Sequence, residues 1–578
     1  MKKKRPAVCF QGKVFILRYN NLMNNSTRST EKNIISDNIP VWGWVLLMAM
    51  LGILWKIIWL ANQAFPFNSD EAITGLMARH ILQGERPVFF YGQAYMGSLD
   101  AFLVAGLFRL LGDSILSIRI LQMILYTCTI ISTAALGWKL THRRDVTVIS
   151  SFLMAIPVVN VTLYTTVSLG GYGEALVLSN AACLCALSMD VDKKGEMPIH
   201  RLIILSILLG LITGLGFWSF GLSLVATVPA CLYGFLTILK ARKKNNWIFS
   251  IALIIIFFFI GSFPWWQAGF QSGSSLQISE MFGSAVSIEK DPWIVRTGNH
   301  LFNFLFLGLP AIFGLRPPWE IRWLGLPLLP FILVIWGGAF WFFGKLLKTM
   351  EAGERQKWYL ILASVGFLAA GFIFTAFGLD PSGRYFLPLA VPFSLIFART
   401  VVSLPVKKTI QFALVAILVV YAGVGTIQSA LKNPPGITTQ FDSVTWINHQ
   451  YDEKLIEFLK DKGEVFGYSN YWVTYPLAYK SREEILYSPS LPYHNDLRYT
   501  SRDNRLPEYT RQVERASRTA YITTFNPPLD MALKTGFSRL GVNWREETIG
   551  DYHIYFDLSR PVHPSELIGE LTPIPPSQ

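Results

Sequence analysis

Residues 41–64, VWGWVLLMAMLGILWKIIWLANQA, run straight into Phe65-Pro66-Phe67-Asn68-Ser69-Asp70-Glu71-Ala72, and the reading of this junction decides the fold. The first stretch is apolar for the roughly 20 residues a helix needs to cross about 30 Å of hydrocarbon. A basic segment, residues 1–40, precedes it. A cleavable signal peptide would place its apolar core nearer the start, so the stretch reads as an uncleaved anchor. The basic leader then keeps the N-terminus in the cytoplasm. The chain just beyond Ala64 faces outside, and it presents two adjacent carboxylates at the membrane boundary.

The same reading extends over most of the chain. Of 578 residues only 15% are charged while 14% are aromatic, and the mean hydropathy is +0.37; soluble chains carry roughly 25% charged residues. Further spans read as Ser114–Leu140, Val146–Ser168, Ala175–Met189, Leu202–Phe220, Leu222–Leu239, Trp247–Pro264, Leu324–Leu347, Trp358–Phe377, Tyr385–Leu404 and Ile410–Ala430. That makes about eleven transmembrane helices in a polytopic α-helical protein. Leu99–Gly112 and Leu301–Gly314 are too short to cross and suit helices at the membrane surface. Leaving them out puts Arg143-Arg144, Lys193-Lys194, Arg242-Lys243-Lys244 and Lys407-Lys408 in the cytoplasm, and a loop of three basic and five acidic residues, 65–113, outside.

The net charge of +13 raises nucleic acid as a partner, but its distribution argues against it. From Lys432 onward the chain carries 16 Lys+Arg against 19 Asp+Glu; the residues before it carry 35 against 19. The basic excess therefore belongs to the apolar part, where it sets orientation, and no nucleic-acid module is expected. The five cysteines read as packing residues. After Ala430, Asn433-Pro434-Pro435-Gly436 breaks the helical texture and charges become frequent. Glu453–Asp461 and Pro507–Ala516 have helical periodicity; Glu464–Tyr468, Thr519–Thr524 and His553–Asp557 read as strands. The expected organisation is a cytoplasmic leader (1–40), a membrane domain (41–430) with an external loop (65–113), and a small external α/β domain (431–578).

Asp70 and Glu71 open an amphipathic stretch. Either Ser69 or Asp70 caps this helix and Glu71 favours its first turn, or one of the two is a general base, partly desolvated at the boundary. Glu174, in Leu169-Gly170-Gly171-Tyr172-Gly173-Glu174, falls in the next external loop, where it either opens a helix or supplies a second acid. Arg384, directly before a span on the external side, runs against the charge bias and needs a partner: Asp380, or the phosphate of a ligand. Trp265-Trp266 fits an interfacial aromatic belt. His300 has no second His or Cys at ligand spacing, and neither a Gly-rich phosphate loop nor an acid-x-acid pair appears.

Asn68-Ser69-Asp70-Glu71-Ala72, Ala78-Arg79-His80-Ile81-Leu82-Gln83-Gly84 and Tyr91-Gly92-Gln93-Ala94-Tyr95-Met96-Gly97-Ser98-Leu99-Asp100-Ala101 together resemble the first external loop of C-type membrane glycosyltransferases. The likeness is to bacterial relatives of protein O-mannosyltransferase and aminoarabinose transferase. It continues through Leu107-Phe108-Arg109-Leu110-Leu111-Gly112 to Arg119, and into Gly383-Arg384-Tyr385-Phe386-Leu387-Pro388. The lysine-bearing segment of those relatives is absent at Tyr95–Asp100.

The resemblance implies catalytic acids at Asp70, Glu71 and Glu174, donor-phosphate contacts from Arg384 and Tyr385, and substrate contacts from Tyr91, Gln93, Tyr95 and Asp100. It implies transfer of a sugar from a polyprenyl-phosphate donor to an acceptor hydroxyl of a glycan, lipid or protein on the external face, with inversion at the anomeric carbon. No obligatory cofactor is expected; a divalent metal is possible but not indicated, and no metal ligands are assigned. The alternative is a multi-pass transporter or lipid-linked-sugar flippase, in which buried charges mark a substrate path. That alternative calls for inverted repeats, and the sequence shows none.

Overall fold

The computed structural model describes residues 39–190, 197–240, 245–273, 275–283 and 291–567. The basic leader through residue 38, Lys193-Lys194, Arg242-Lys243-Lys244 and the Pro-rich tail lie outside these residues.

The chain begins with α1 (Val41–Ala61), α2 (Ser69–Gln83), an antiparallel ribbon of β1 (Phe89–Phe90) and β2 (Gln93–Gly97), and α3 (Leu99–Leu111). Then come α4 (Ile115–Thr141), α5 (Arg144–Ala155), α6 (Val159–Tyr164), α7 (Tyr172–Leu187) and α8 (Ile199–Ser219). The next helices are α9 (Leu224–Lys240), α10 (Asn245–Gly261), α11 (Phe263–Ser272), α12 (Ser275–Met281), α13 (Trp293–Asn303) and α14 (Leu309–Ile312). The membrane part closes with α15 (Leu329–Thr349), α16 (Ala352–Phe374), α17 (Ala390–Ser403) and α18 (Lys408–Ala430).

Among the described residues, eight helices are long and apolar enough to cross a membrane, nine if the α10–α11 pair, bent by 61°, is one span. The difference from eleven has local causes. Pro157 supplies no N–H and forces Ile156 out of the helical region (φ −121°, ψ 74°), so Val146–Ser168 divides into α5 and α6. α7 has 16 residues, about 24 Å at 1.5 Å per residue, shorter than the hydrocarbon. Neither of the short stretches 99–112 and 301–314 forms a helix of spanning length; the second is broken into α13, a π-turn and α14. The helical run Arg384–Ser403 is the innermost, with 83% of its apolar window buried, which places its first residue, Arg384, within the fold. Cys183 and Cys185 pack in the core as read from sequence, whereas Cys128 is exposed.

Beyond α18 a lobe forms from α19 (Asp452–Lys462), β3 (Phe466–Tyr468), α20 (Tyr471–Lys480), β4 (Leu486–Ser488), α21 (Pro507–Glu514), β5 (Ala520–Thr524), α22 (Pro527–Arg539), β6 (Arg545–Ile549), β7 (Tyr552–Phe556) and α23 (Pro564–Leu567). Its five strands run in the order β4-β3-β5-β7-β6. β3 pairs parallel with β4 and β5; β7 pairs antiparallel with β5 and β6. The lobe shares an apolar core with the membrane part: Tyr471, Tyr475, Ala478 and Tyr479 of α20 are buried in one cluster with Ile73, Leu76 and Met77 of α2. Gly75 is what permits this approach, since a Cβ there would lie 2.5 Å from the Tyr479 ring. Polar contacts reinforce the seam: Tyr479 donates to Asp113 at 2.8 Å, and His80 meets Glu483 at 3.0 Å.

Candidate active site

The first turn of α2 is capped by Asn68, whose side chain accepts from the Glu71 N–H at 3.0 Å; neither Ser69 nor Asp70 does this. The physical consequence is that the Asp70 carboxylate is released from capping. Asp70 points to the lobe, where its Oδ1 accepts from the Tyr471 hydroxyl at 2.5 Å, and Ser69 Oγ donates to the Tyr471 carbonyl at 2.6 Å.

Glu71 turns the other way. It is 0% exposed and receives Nε and Nη2 of Arg119 at 2.9 Å each, a two-pronged pair from α4. Burial pushes the Glu71 carboxyl up and Arg119 pulls it back. Asp100 and Glu174, 1% and 3% exposed, meet behind this pair. Asp100 accepts from Gln122 Nε2 at 2.9 Å and from Ser168 Oγ. Both Glu174 oxygens are buried with no hydrogen-bond partner. Burial pushes the Asp100 carboxyl up, against its bonds to Ser168 and Gln122. Gly171, at φ +80°, makes the turn that brings Glu174 there; a Cβ on it would lie 3.1 Å from the Ser219 carbonyl oxygen.

Arg384 is set by a turn. Asp380 Oδ1 accepts from the Ser382 N–H at 2.8 Å, and Gly383 takes φ +75° with room for no Cβ, since one would lie 2.5 Å from that of Ala311. The buried Arg316 holds the Pro381 carbonyl from beneath. Arg384 Nη2 then reaches Asp380 at 2.6 Å while the side chain stays 34% exposed. Its Nε has no hydrogen-bond partner, and neither does the Tyr385 hydroxyl.

Tyr95 joins the two halves. Burial pushes its phenol up, while Arg384 and Arg505 pull it down and Asp70 and Glu280 add to the rise. Tyr95 therefore sits where the fields of the base candidate and both arginines meet. With Tyr385 it also lines an apolar cavity of about 330 Å³, walled by Leu222, Val225, Leu368 and Gly371. Glu280 of α12 pins β2 by accepting from the Ala94 N–H at 2.6 Å.

The remaining expected residues are placed differently. The Tyr91 hydroxyl lies with Glu85 at 2.7 Å and His80 at 3.0 Å, a separate cluster from that of Asp70. The Gln93 amide, turned so that its oxygen faces the lobe, accepts from Arg505 Nη2 at 2.7 Å. His300 bonds the Ile373 carbonyl at 2.8 Å. Among the described residues no group of three or more His, Cys, Asp or Glu side chains is placed to hold a metal ion.

Tyr471 and Arg505 were not legible in the sequence as site residues. Burial opposes the Arg505 charge, but Tyr471, Asp70 and Tyr95 hold its guanidinium firmly protonated. Beside it, burial raises the Asp503 carboxyl to about 7.

No protein-family model matches the chain, nor does any curated protein sequence. Its likeness is to solved structures. The aminoarabinose transferase ArnT from Cupriavidus metallidurans in the apo state superposes with a TM-score of 0.57 at 9% identity, over 89% of this chain and 97% of that one. ArnT bound to undecaprenyl phosphate gives 0.54 at 10% identity, over 89% and 98%. The archaeal oligosaccharyltransferase AglB from Archaeoglobus fulgidus is looser, 0.45 at 12% identity, over 83% and 69%. With its helices in this order and its lobe seated on the first loop, the chain has the C-type membrane glycosyltransferase fold.

Proposed function

We propose that this protein is a membrane glycosyltransferase that moves a sugar from a polyprenyl-phosphate donor to an acceptor hydroxyl on the external face of the cell membrane. The observation that carries the reading is that Tyr95 and Tyr385 line the apolar cavity and Tyr385 stands beside Arg384, whose Nε has no partner. An apolar groove suits a prenyl chain, and a planar guanidinium suits its phosphate. The ArnT structure holding undecaprenyl phosphate supports the same donor class.

In this mechanism Asp70 Oδ2 takes the proton of the acceptor hydroxyl. The resulting oxygen attacks the anomeric carbon from the face opposite the phosphate, and the carbon–phosphate-oxygen bond breaks as the new glycosidic bond forms. Displacement in one step inverts the carbon. Arg384 and the Tyr385 hydroxyl stabilise the charge that develops on the departing lipid phosphate, in a site poor in water. Glu71 with Arg119, and Asp100 with Glu174, hold the floor on which Asp70 stands. Their burial keeps them from the substrate, so they act by position. The N-terminus is cytoplasmic and the lobe external. Donor sugar and acceptor are set by side chains that the fold does not dictate.

The test is incubation of the reconstituted protein with radiolabelled polyprenyl-phosphate sugars and cell-envelope acceptors. Asp70→Asn, nearly isosteric, reduces transfer to a small residual rate and leaves donor binding intact. Undiminished transfer in both Asp70→Asn and Glu71→Gln sinks this assignment and makes transport the better account.

A further inference from the structure

Asp70 opens a helix, where a short side chain ordinarily turns among several rotamers. Here it does not, and what stops it comes from 401 residues away in the chain: the Tyr471 hydroxyl, 2.5 Å from Oδ1. Tyr471 is itself rigid. It is buried, packed edge-on against Trp472 and Tyr475 at 5.0 and 5.4 Å, and its carbonyl is held by Ser69. The preceding residue, Asn470, caps α20 by accepting from the Trp472 N–H at 2.9 Å and donates to Thr524 at 3.1 Å. The ring therefore transmits the position of the lobe sheet to a single carboxylate oxygen.

We propose that Tyr471 is the positioning residue of the general base, holding Asp70 Oδ1 so that Oδ2 is the oxygen that receives the acceptor proton. The inference rests on the glycosyltransferase reading above. A carboxylate has two oxygens; fixing one aims the other, and a base aimed before the substrate arrives spends no entropy on aiming. The other groups that bear on Asp70 are Tyr95 of β2, Arg505 and Asp503 of the turn before α21, and Tyr493. Of these side chains, Tyr471 makes the hydrogen bond to the carboxylate. The lobe thereby takes part in aiming the base.

Tyr471→Phe keeps the ring and removes only the hydroxyl. The expected result is a kcat lower by about ten- to hundredfold, the scale of one hydrogen bond to a charged group, with donor KM within about twofold. In the Asp70→Asn background the same substitution changes the residual rate no further, because the two act through one oxygen. If Tyr471→Phe folds poorly, 4-fluorophenylalanine at this position fills the place of the hydroxyl without donating, and the same fall in kcat is expected. Wild-type kcat in Tyr471→Phe overturns the proposal alone, as does an equal loss with and without Asp70. Absence of transfer by the wild-type protein from every polyprenyl-phosphate sugar overturns the glycosyltransferase reading, and this proposal with it.

Discussion

Arg384→Lys separates the two roles open to that arginine. In the structure one nitrogen, Nη2, is held by Asp380 at 2.6 Å, Nε has no partner, and the guanidinium lies 4.9 Å from the Tyr385 ring centre. Arginine can thus keep Asp380 and still offer a second prong to a phosphate. Lysine has one compact ammonium and no fork, so it serves Asp380 or the phosphate, not both. Losing one charge-assisted hydrogen bond costs about 1.5–3 kcal/mol. With a third of the side chain exposed, solvent screening places the loss toward the lower end, roughly tenfold in kcat/KM for the donor. The assay is initial-rate transfer across a donor titration, with thermal unfolding of the same preparations. Asp380→Asn is the companion: it frees the arginine without removing it, so donor use is retained while the turn is loosened. Normal donor kinetics in Arg384→Lys together with a lowered unfolding temperature would refute the phosphate role and leave Arg384 as the structural partner of Asp380.

Gly371 lines the apolar cavity, and a Cβ there meets nothing within 4 Å. Gly371→Trp should therefore fold, fill the groove and stop transfer from long-chain donors while a short-chain, water-soluble donor analogue is still used; chain-length competition reads this directly. Glu71→Gln leaves Arg119 largely buried without its counter-charge and should destabilise by about 3–5 kcal/mol, lowering the unfolding temperature and transfer together, whereas Asp70→Asn lowers transfer alone. In the lobe, burial works against the Asp452 charge, but His449 and Lys480, at 3.0 and 2.7 Å, hold the carboxyl well below the usual carboxylate range. A depressed folded value contributes stability above the unfolded one, about 3.9, and loses it as pH falls further. Asp452→Asn should accordingly cost about 3 kcal/mol at pH 7, with the difference from wild type shrinking as pH falls below about 4 and vanishing only below the depressed folded value, measured by urea unfolding followed through proteolysis of the lobe.

Sequence alone determined what depends on composition and short spacing. The spans α1, α4, α8, α15, α16 and α18, the short stretches 99–112 and 301–314, the acidic start of α2 and the exceptional Arg384 were all legible, because apolar length and an unpaired charge announce themselves locally. So were α19, β3, α21, β5 and β7, whose periodicity is strong. The capping residue was misplaced by one or two positions, since Asn68, Ser69 and Asp70 are all good caps and only the backbone chooses among them. α20, α22, β4 and β6 were not read: Pro476 lies within α20, Pro527 and Pro528 open α22, and the two strands are short or exposed and without alternation.

Only the tertiary structure decided how the acids divide. Asp70 and Glu71 are neighbours in the chain and look alike, yet a helix turns consecutive side chains about 100° apart. One therefore faces Tyr471, 401 residues on, and the other Arg119, 48 residues on. Glu174 reaches its buried place by another route, through a left-handed turn at Gly171 that no spacing rule foretells. A pairing across such distances leaves no local pattern, because its cause is the packing of α20 against α2 over the missing side chain of Gly75.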